Sequence, residues 1–198
     1  MREPRTFNSR MGKRLAFPDE AFYCAGKSMQ KETTAMRQSC PVRPLESDDL
    51  ETVLQLNNAA VPTVNRLDAA RLKDLVAQSE AALALGPVGE PQGFMLAMGP
   101  GLAYDSINYR WFAKRYDAFL YVDRIVVAES ARGSGTGRAL YKVAMERAAG
   151  RPLCCEVNLR PRNEPSLRFH AGLSFTEVGR QENDDGTKEV ALLVRTGA

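Results

Sequence analysis

Histidine is nearly missing from this 198-residue chain: His170 is the only one. That excludes a His-rich metal centre and leaves any cysteine nucleophile with a single candidate imidazole as its base. Cysteine is scarce as well. Cys24, Cys40, Cys154 and Cys155 have neither the paired spacing of a zinc site nor the density of a disulfide scaffold. The adjacent Cys154 and Cys155 would face opposite ways on a strand. No apolar run approaches the roughly 18 residues of a membrane span, and the basic N-terminus has no uninterrupted apolar core of a secretory signal. The expectation is a soluble, cytoplasmic protein with no metal. A charge excess is missing too. The formal net charge is +3, from 27 basic and 24 acidic residues, but residues 1–35 hold 7 of the former and 4 of the latter. Removing them leaves 20 of each sign, so the body of the chain is neutral, which argues against a broad nucleic-acid-binding face.

What is present is the composition of one globular domain, 44% hydrophobic and 26% charged. Residues 1–35 show no helical or strand period and read as an N-terminal extension. The alternatives are translation upstream of a natural start at Met11, Met29 or Met36, an artificial remnant, or a basic arm for a partner. From Cys40 onward strands and helices alternate in one domain, residues 36–198. Val42–Leu45 reads as a short strand. A helix carries Leu50, Val53, Leu54 and Leu56 up to Pro62, and a second begins at Asp68. Ala82–Leu85 and Gly93–Met98 form an antiparallel hairpin around a Gly- and Pro-rich turn. Residues 99–118 form a long connection rich in aromatics, which either covers a core edge or lines a site. Phe119–Val127 is a nearly continuous apolar run, as a central strand requires. A glycine-rich turn follows, then a helix with Leu140, Val143, Ala144 and Arg147 on one face, and a strand over Leu153–Leu159. Asn163 caps a short helix that ends near Gly172. Ser174–Gln181 and Lys188–Val194 close the chain as a hairpin around Asn183-Asp184-Asp185-Gly186. The fold class is α/β with a mixed, largely antiparallel sheet.

The passage from central strand to glycine turn to helix carries the chemistry. Gly133, Gly135 and Gly137 remove side chains where a backbone must approach a ligand, and the helix start adds a positive end of roughly half an elementary charge. Such a turn suits a pyrophosphate, and Arg132 and Arg138 bracket it. A Walker loop would need Lys and then Ser or Thr after its last glycine, but Arg138 and Ala139 follow Gly137. A dinucleotide fingerprint belongs near the start of a repeated parallel unit, whereas this turn lies past mid-chain behind a hairpin.

The pattern Val127-x-x-x-x-Arg132-x-x-Gly135-x-Gly137, between strand and amphipathic helix, resembles the acetyl-CoA motif of the GNAT superfamily of acetyltransferases. The stretch Asn163-Glu-Pro-Ser166-Leu-Arg-Phe169-His170-Ala-Gly-Leu-Ser-Phe175 resembles that family's second signature. The likeness covers about residues 42–194 and is similar to a bacterial subgroup known mainly as predicted acetyltransferases. Ser174 stands where the family usually has glycine, and His170 where many members have tyrosine. The resemblance implies a mostly antiparallel sheet with two splayed central strands and helices on its flanks. Backbone groups of Ile125, Val126 and Val127 would pair with the pantetheine arm of acetyl-CoA, one of them polarising the thioester carbonyl. Amides of the turn Arg132, Gly133, Ser134, Gly135, Thr136, Gly137 and Arg138 would hold the pyrophosphate. Asn163 and Ser166 would contact the cofactor arm.

The implied reaction is direct attack of a neutral amine on the thioester, which needs a proton acceptor. Asp123, two residues from Tyr121 and so on the same strand face, is the first candidate base; its alternative is a structural ion pair with Arg124 or another arginine. Glu156 on the neighbouring strand is the second. His170 would protonate the leaving thiolate, or instead pack against the cofactor arm without proton transfer. The expected acceptor is a small-molecule or peptide amine, with no nucleic acid and no membrane, and a homodimer is compatible. The competing class is a non-catalytic acyl-CoA-binding module that senses or regulates. A third reading, acetylation of RNA-linked amines through the basic N-terminal arm, requires an activity that depends on RNA and on residues 1–35.

Overall fold

A computed structural model describes residues 41–182 and 186–197. The N-terminal extension and Asn183-Asp184-Asp185 of the last turn lie outside the described residues. In chain order the elements are β1 (Val42–Pro44), α1 (Leu50–Ala59), α2 (Ala69–Gln78), β2 (Ala81–Leu85), β3 (Gly93–Met98), α3 (Ile107–Ala113), β4 (Leu120–Val127), α4 (Thr136–Ala148), β5 (Leu153–Arg160), α5 (Glu164–Ala171), β6 (Thr176–Glu182) and β7 (Glu189–Arg195). Local chemistry sets the helix starts where the sequence places them. The Asp68 side chain accepts from Arg71 N at 2.7 Å to open α2, and Asn163 accepts from Ser166 N at 3.2 Å to open α5.

The strands form one seven-stranded sheet in the order β1-β2-β3-β4-β5-β7-β6. All neighbours are antiparallel except β4 and β5, which confirms the mixed, largely antiparallel sheet. Alternation along each strand feeds two cores. On one face Phe94, Leu96, Tyr121 and Cys154 pack with Val53 of α1, Leu72 and Leu75 of α2, and Tyr109 and Phe112 of α3. On the other, Met95, Leu120, Val122 and Cys155 pack with Leu140, Tyr141 and Ala144 of α4. Cys154 and Cys155 thus go to opposite faces, as their adjacency requires. The edge strand β1 is tied down by a two-pronged pair: Arg43 donates to both oxygens of the fully buried Asp49 at 2.6 and 2.8 Å. That guanidinium holds the Asp49 carboxyl down at about 2.

The expected connection over residues 99–118 contains α3. Ser106 caps it, accepting from Tyr109 N at 3.3 Å, and Tyr109 and Phe112, three residues apart, turn into the core. Trp111 lies across Gly179 of β6, where an added Cβ would stand 2.6 Å from its ring. Seven residues are too few to display a helical period against such an aromatic background.

Candidate active site

The site begins where β4 and β5 separate. Their parallel pairing comprises only Leu120 with Leu153 and Tyr121 with Cys154, although each strand is eight residues long. Beyond Tyr121 the β5-facing edge of β4 has no strand beside it among the described residues. A bulge accompanies the parting: Arg124 lies opposite Leu96 and Val122 opposite Ala97, so Asp123 has no partner on β3. The extra residue breaks strict alternation. Asp123 and Arg124, adjacent in sequence, both turn to the α1–α3 face and bond to each other there.

The resulting cleft, of about 650 Å³, passes between the strands and is lined from both faces of the sheet. On the α1–α3 face Asp123 is fully engaged. One oxygen accepts from Arg124 Nε at 2.7 Å and the other from the Tyr104 hydroxyl. Arg124 Nη1 continues to Asn57 Oδ1 at 2.9 Å, and Asn57 Nδ2 reaches the Asn65 carbonyl at 3.0 Å. The buried arginine therefore links β4 to α1 and to the segment 62–67 that borders the cleft.

Glu156 of β5 stands on the same face in a different environment. It accepts from the Tyr121 hydroxyl at 2.7 Å, and the Asn108 side chain lies near enough to help hold its pKa down. Among the described residues it forms no ion pair. Burial raises its carboxyl to about 7, with the Tyr121 hydrogen bond pulling against that rise and the nearby Asp123 charge adding to it. The partner Tyr121 hydroxyl is itself pushed up by burial, then by the Glu156 and Asp123 charges, so the proton stays on the phenol.

On the opposite face, His170 of α5 is buried with both ring nitrogens occupied. Nδ1 lies 2.7 Å from the Ser166 carbonyl, which can only accept, so Nδ1 carries the hydrogen. Nε2 then accepts from the Tyr141 hydroxyl at 2.7 Å. Burial lowers the imidazole's pKa, in keeping with this neutral tautomer. Asn163, Ser166 and Ile125 also line the cleft.

The glycine turn lies apart from the cleft lining, at the start of α4. Gly133 and Gly135 have φ of 75° and 94° with no atom within 4 Å of an added Cβ, so the turn presents bare, open backbone. No side chain caps α4, which leaves first-turn amides of Thr136, Gly137 and Arg138 available to an anion. Arg132 and Arg138 are exposed beside them. Gly137 differs from the expectation: it sits inside α4, and an added Cβ would meet the Phe169 ring at 3.2 Å. Its small size serves helix packing. Val126 and Val127 face β3, paired with Phe94 and Gly93, and do not line the cleft.

Sequence reasoning missed Tyr104, Asn108, Tyr141 and the inward course of Arg124. The Ser106 cap and the Tyr109 and Phe112 spacing could have located α3 and hence Asn108. Nothing in the residue order marks the bulge.

Solved structures share this architecture. Arabidopsis thaliana NAA60 in complex with a bisubstrate analogue is 23% identical, with a TM-score of 0.62 over 78% of this chain and 96% of that one. The ribosomal-protein-S18-alanine N-acetyltransferase of Escherichia coli is 16% identical, with a TM-score of 0.58 over 78% and 92% of the two chains. Ard1 from Thermoplasma volcanium is 15% identical, with a TM-score of 0.63 over 81% and 99%. These likenesses establish the fold. No curated protein matches the chain in sequence. Residues 89–175, which hold the parted strands, the bare glycine turn and the Asn163 helix, match the model of the Acetyltransferase (GNAT) family.

Proposed function

We propose that the protein transfers the acetyl group of acetyl-CoA to a primary amine of a peptide or small molecule, by direct attack of the amine on the thioester. The observation that carries this reading is the through-sheet cleft: it joins the face bearing the anion-ready start of α4 to the opposite face bearing an uncharged-capable carboxyl, Glu156. Of the neighbours, NAA60 from Arabidopsis has been solved with acetyl-CoA, and the Escherichia coli protein is named for acetylating a protein alanine. Turn amides from Arg132 to Arg138 would bind the pyrophosphate, and backbone groups of Ile125 to Val127 the pantetheine arm, with Asn163 and Ser166 beside it.

We assign the base to Glu156 rather than Asp123. Both Asp123 oxygens are committed to Arg124 and Tyr104, and removing Arg124 from the pair would strand a buried charge. A carboxyl near 7 is matched to taking a proton at neutral pH. In the step, the amine nitrogen bonds to the thioester carbon, the C–S bond breaks, CoA leaves as thiolate, and the amine's surplus proton passes to Glu156. His170, neutral and donating to a backbone carbonyl, has no proton aimed at the cleft. Its Nε2 accepts the Tyr141 hydroxyl's one proton, so neither of these side chains aims a proton at the leaving thiolate.

The test is thiol release from acetyl-CoA across an amine panel. Amine-stimulated CoA release is expected; bound acetyl-CoA with no release for any amine would point instead to a non-catalytic acyl-CoA-binding module. kcat/KM should rise through about pH 7, where Glu156 ionises. Glu156→Gln should lower it about 10²- to 10⁴-fold and remove that limb. His170→Gln should keep the limb, since an imidazole lowered by burial does not produce it. Loss of the limb in His170→Gln and its survival in Glu156→Gln would reverse the assignment.

A further inference from the structure

One wall of the cleft is held more firmly than an exposed connection requires. Residues 62–67, between α1 and α2, border the cleft, and the backbone on either side of Arg66 is clamped by two asparagines of α1. Asn57 Nδ2 donates to the Asn65 carbonyl at 3.0 Å, while Asn58 accepts from Leu67 N and donates to the Leu67 carbonyl, both at 2.9 Å. Lys188, just before β7, reaches the same wall and donates to Asn65 Oδ1 at 3.3 Å. Arg66 itself is exposed, and among the described residues it forms no ion pair. Arg71, in the first turn of α2, borders the cleft as well, its guanidinium 5.7 Å from the centre of the Tyr104 ring. Its printed-out partner in charge is Asp105, touched by one nitrogen at 3.3 Å, and the Asp105 side chain is 85% exposed. Such a contact is worth little in water and leaves most of the fork's donors open. Arg124, deeper in, is engaged by Asp123.

We propose that the acceptor carries a carboxylate as well as its amine, and that Arg66 and Arg71 bind this carboxylate while the amine faces Glu156. The inference rests on the acetyl-transfer reading above. A planar guanidinium offers paired N–H donors that match the two oxygens of a carboxylate, and two such forks on one fixed wall give the ligand an orientation as well as a place. An acceptor that enters as a bare ammonium meets like charge at these arginines. One that also bears a carboxylate is attracted by them, and holding that end at the wall turns the amine inward. On attack the N–C bond forms, the C–S bond breaks, CoA leaves as thiolate and the surplus proton passes to Glu156; the carboxylate takes no part and stays in the product. The same chemistry has two sources, the α-carboxylate of a free amino acid and the side-chain carboxylate of a peptide with an acidic second residue.

Two matched pairs separate the sources, read by thiol release from acetyl-CoA in the full chain: leucine against leucinamide, and the tripeptide amide Gly-Asp-Leu against Gly-Asn-Leu. Wild type should turn over the carboxylate member of one pair, and that pair names the source. In that pair Arg66→Gln and Arg71→Gln should each lower the ratio of kcat/KM, carboxylate member over amide member, about 10- to 100-fold and through KM. The change in a ratio is free of the difference in amine basicity within a pair. Arg66→Lys should keep part of the ratio, since the charge stays and the fork is lost. Acetyl-CoA affinity, measured by equilibrium binding, should match the wild type's in all three variants, which controls for folding. A ratio unchanged in both glutamine variants, or a wild type that acetylates the amides and neither carboxylate, overturns this inference and leaves the acetyltransferase reading standing. No amine-dependent release from the wild type with any amine overturns both.

Discussion

Asp123 and Glu156 face the same cleft from opposite sides of the split, and their neighbours separate their tasks. Asp123 has a guanidinium on one oxygen and a phenol on the other; Glu156 has a phenol and, among the described residues, no cation. Strand alternation correctly put Tyr121 and Asp123 on one face, and it named Glu156 as a candidate. It could not rank them, because the same alternation sends Arg124 to the other face, and only the bulge at Asp123 brings it back. Ser174 illustrates the reverse case. Its place in the motif, where glycine is usual, was readable, and the structure supplies the meaning: φ is +63°, a left-handed conformation that costs an L-residue about 1 kcal/mol. Ser174→Gly should therefore raise the unfolding free energy by roughly 0.5 kcal/mol, a strain relief partly offset by the greater entropy glycine loses on folding. Urea unfolding with an unchanged m-value is the appropriate measurement, and a destabilised variant would show that the side chain, not the backbone, decides this position.

At the level of elements, the start of α4 combines two glycines at positive φ, open space above both, and a helix end with no capping side chain. Glycine spacing announced the turn, but spacing does not say which glycine does what; Gly137 is small for Phe169, not for a ligand. That difference is testable with two substitutions in one loop. Gly135→Glu puts a carboxylate where an anion is expected and should abolish CoA binding, with the far-UV spectrum intact. Gly137→Ala should retain binding, because the added methyl meets the Phe169 ring and not the open face of the turn. CoA affinity unchanged in Gly135→Glu would remove the turn from the binding site. The helix α3 was hidden for a related reason: short elements dense in aromatics carry no strong period, and the signal that marks its start is the Ser106 cap.

Across the whole molecule, the +3 charge belongs to residues 1–35, and the neutral remainder places two of its exposed arginines, Arg132 and Arg138, at one helix start. That balance fits a small anionic co-substrate better than an extended polyanion. Neutrality was readable in the residue counts; the sheet's division was not, since both central strands are apolar and equally long. Its consequence is mechanical. The sheet is two half-sheets, β1 to β4 and β5-β7-β6, stitched along two residue pairs, so the seam is where cooperative unfolding is easiest to interrupt and where a guest chain would restore it. With CoA as the probe, amide exchange between Val122 and Val127 should slow sharply on the gap-facing edge, and the melting temperature should climb with ligand concentration. Equal exchange with and without saturating CoA would mean that the guest does not lie in the seam. If it does, this protein's sheet is one strand short by construction, and its resistance to heat is a measure of how much co-substrate surrounds it.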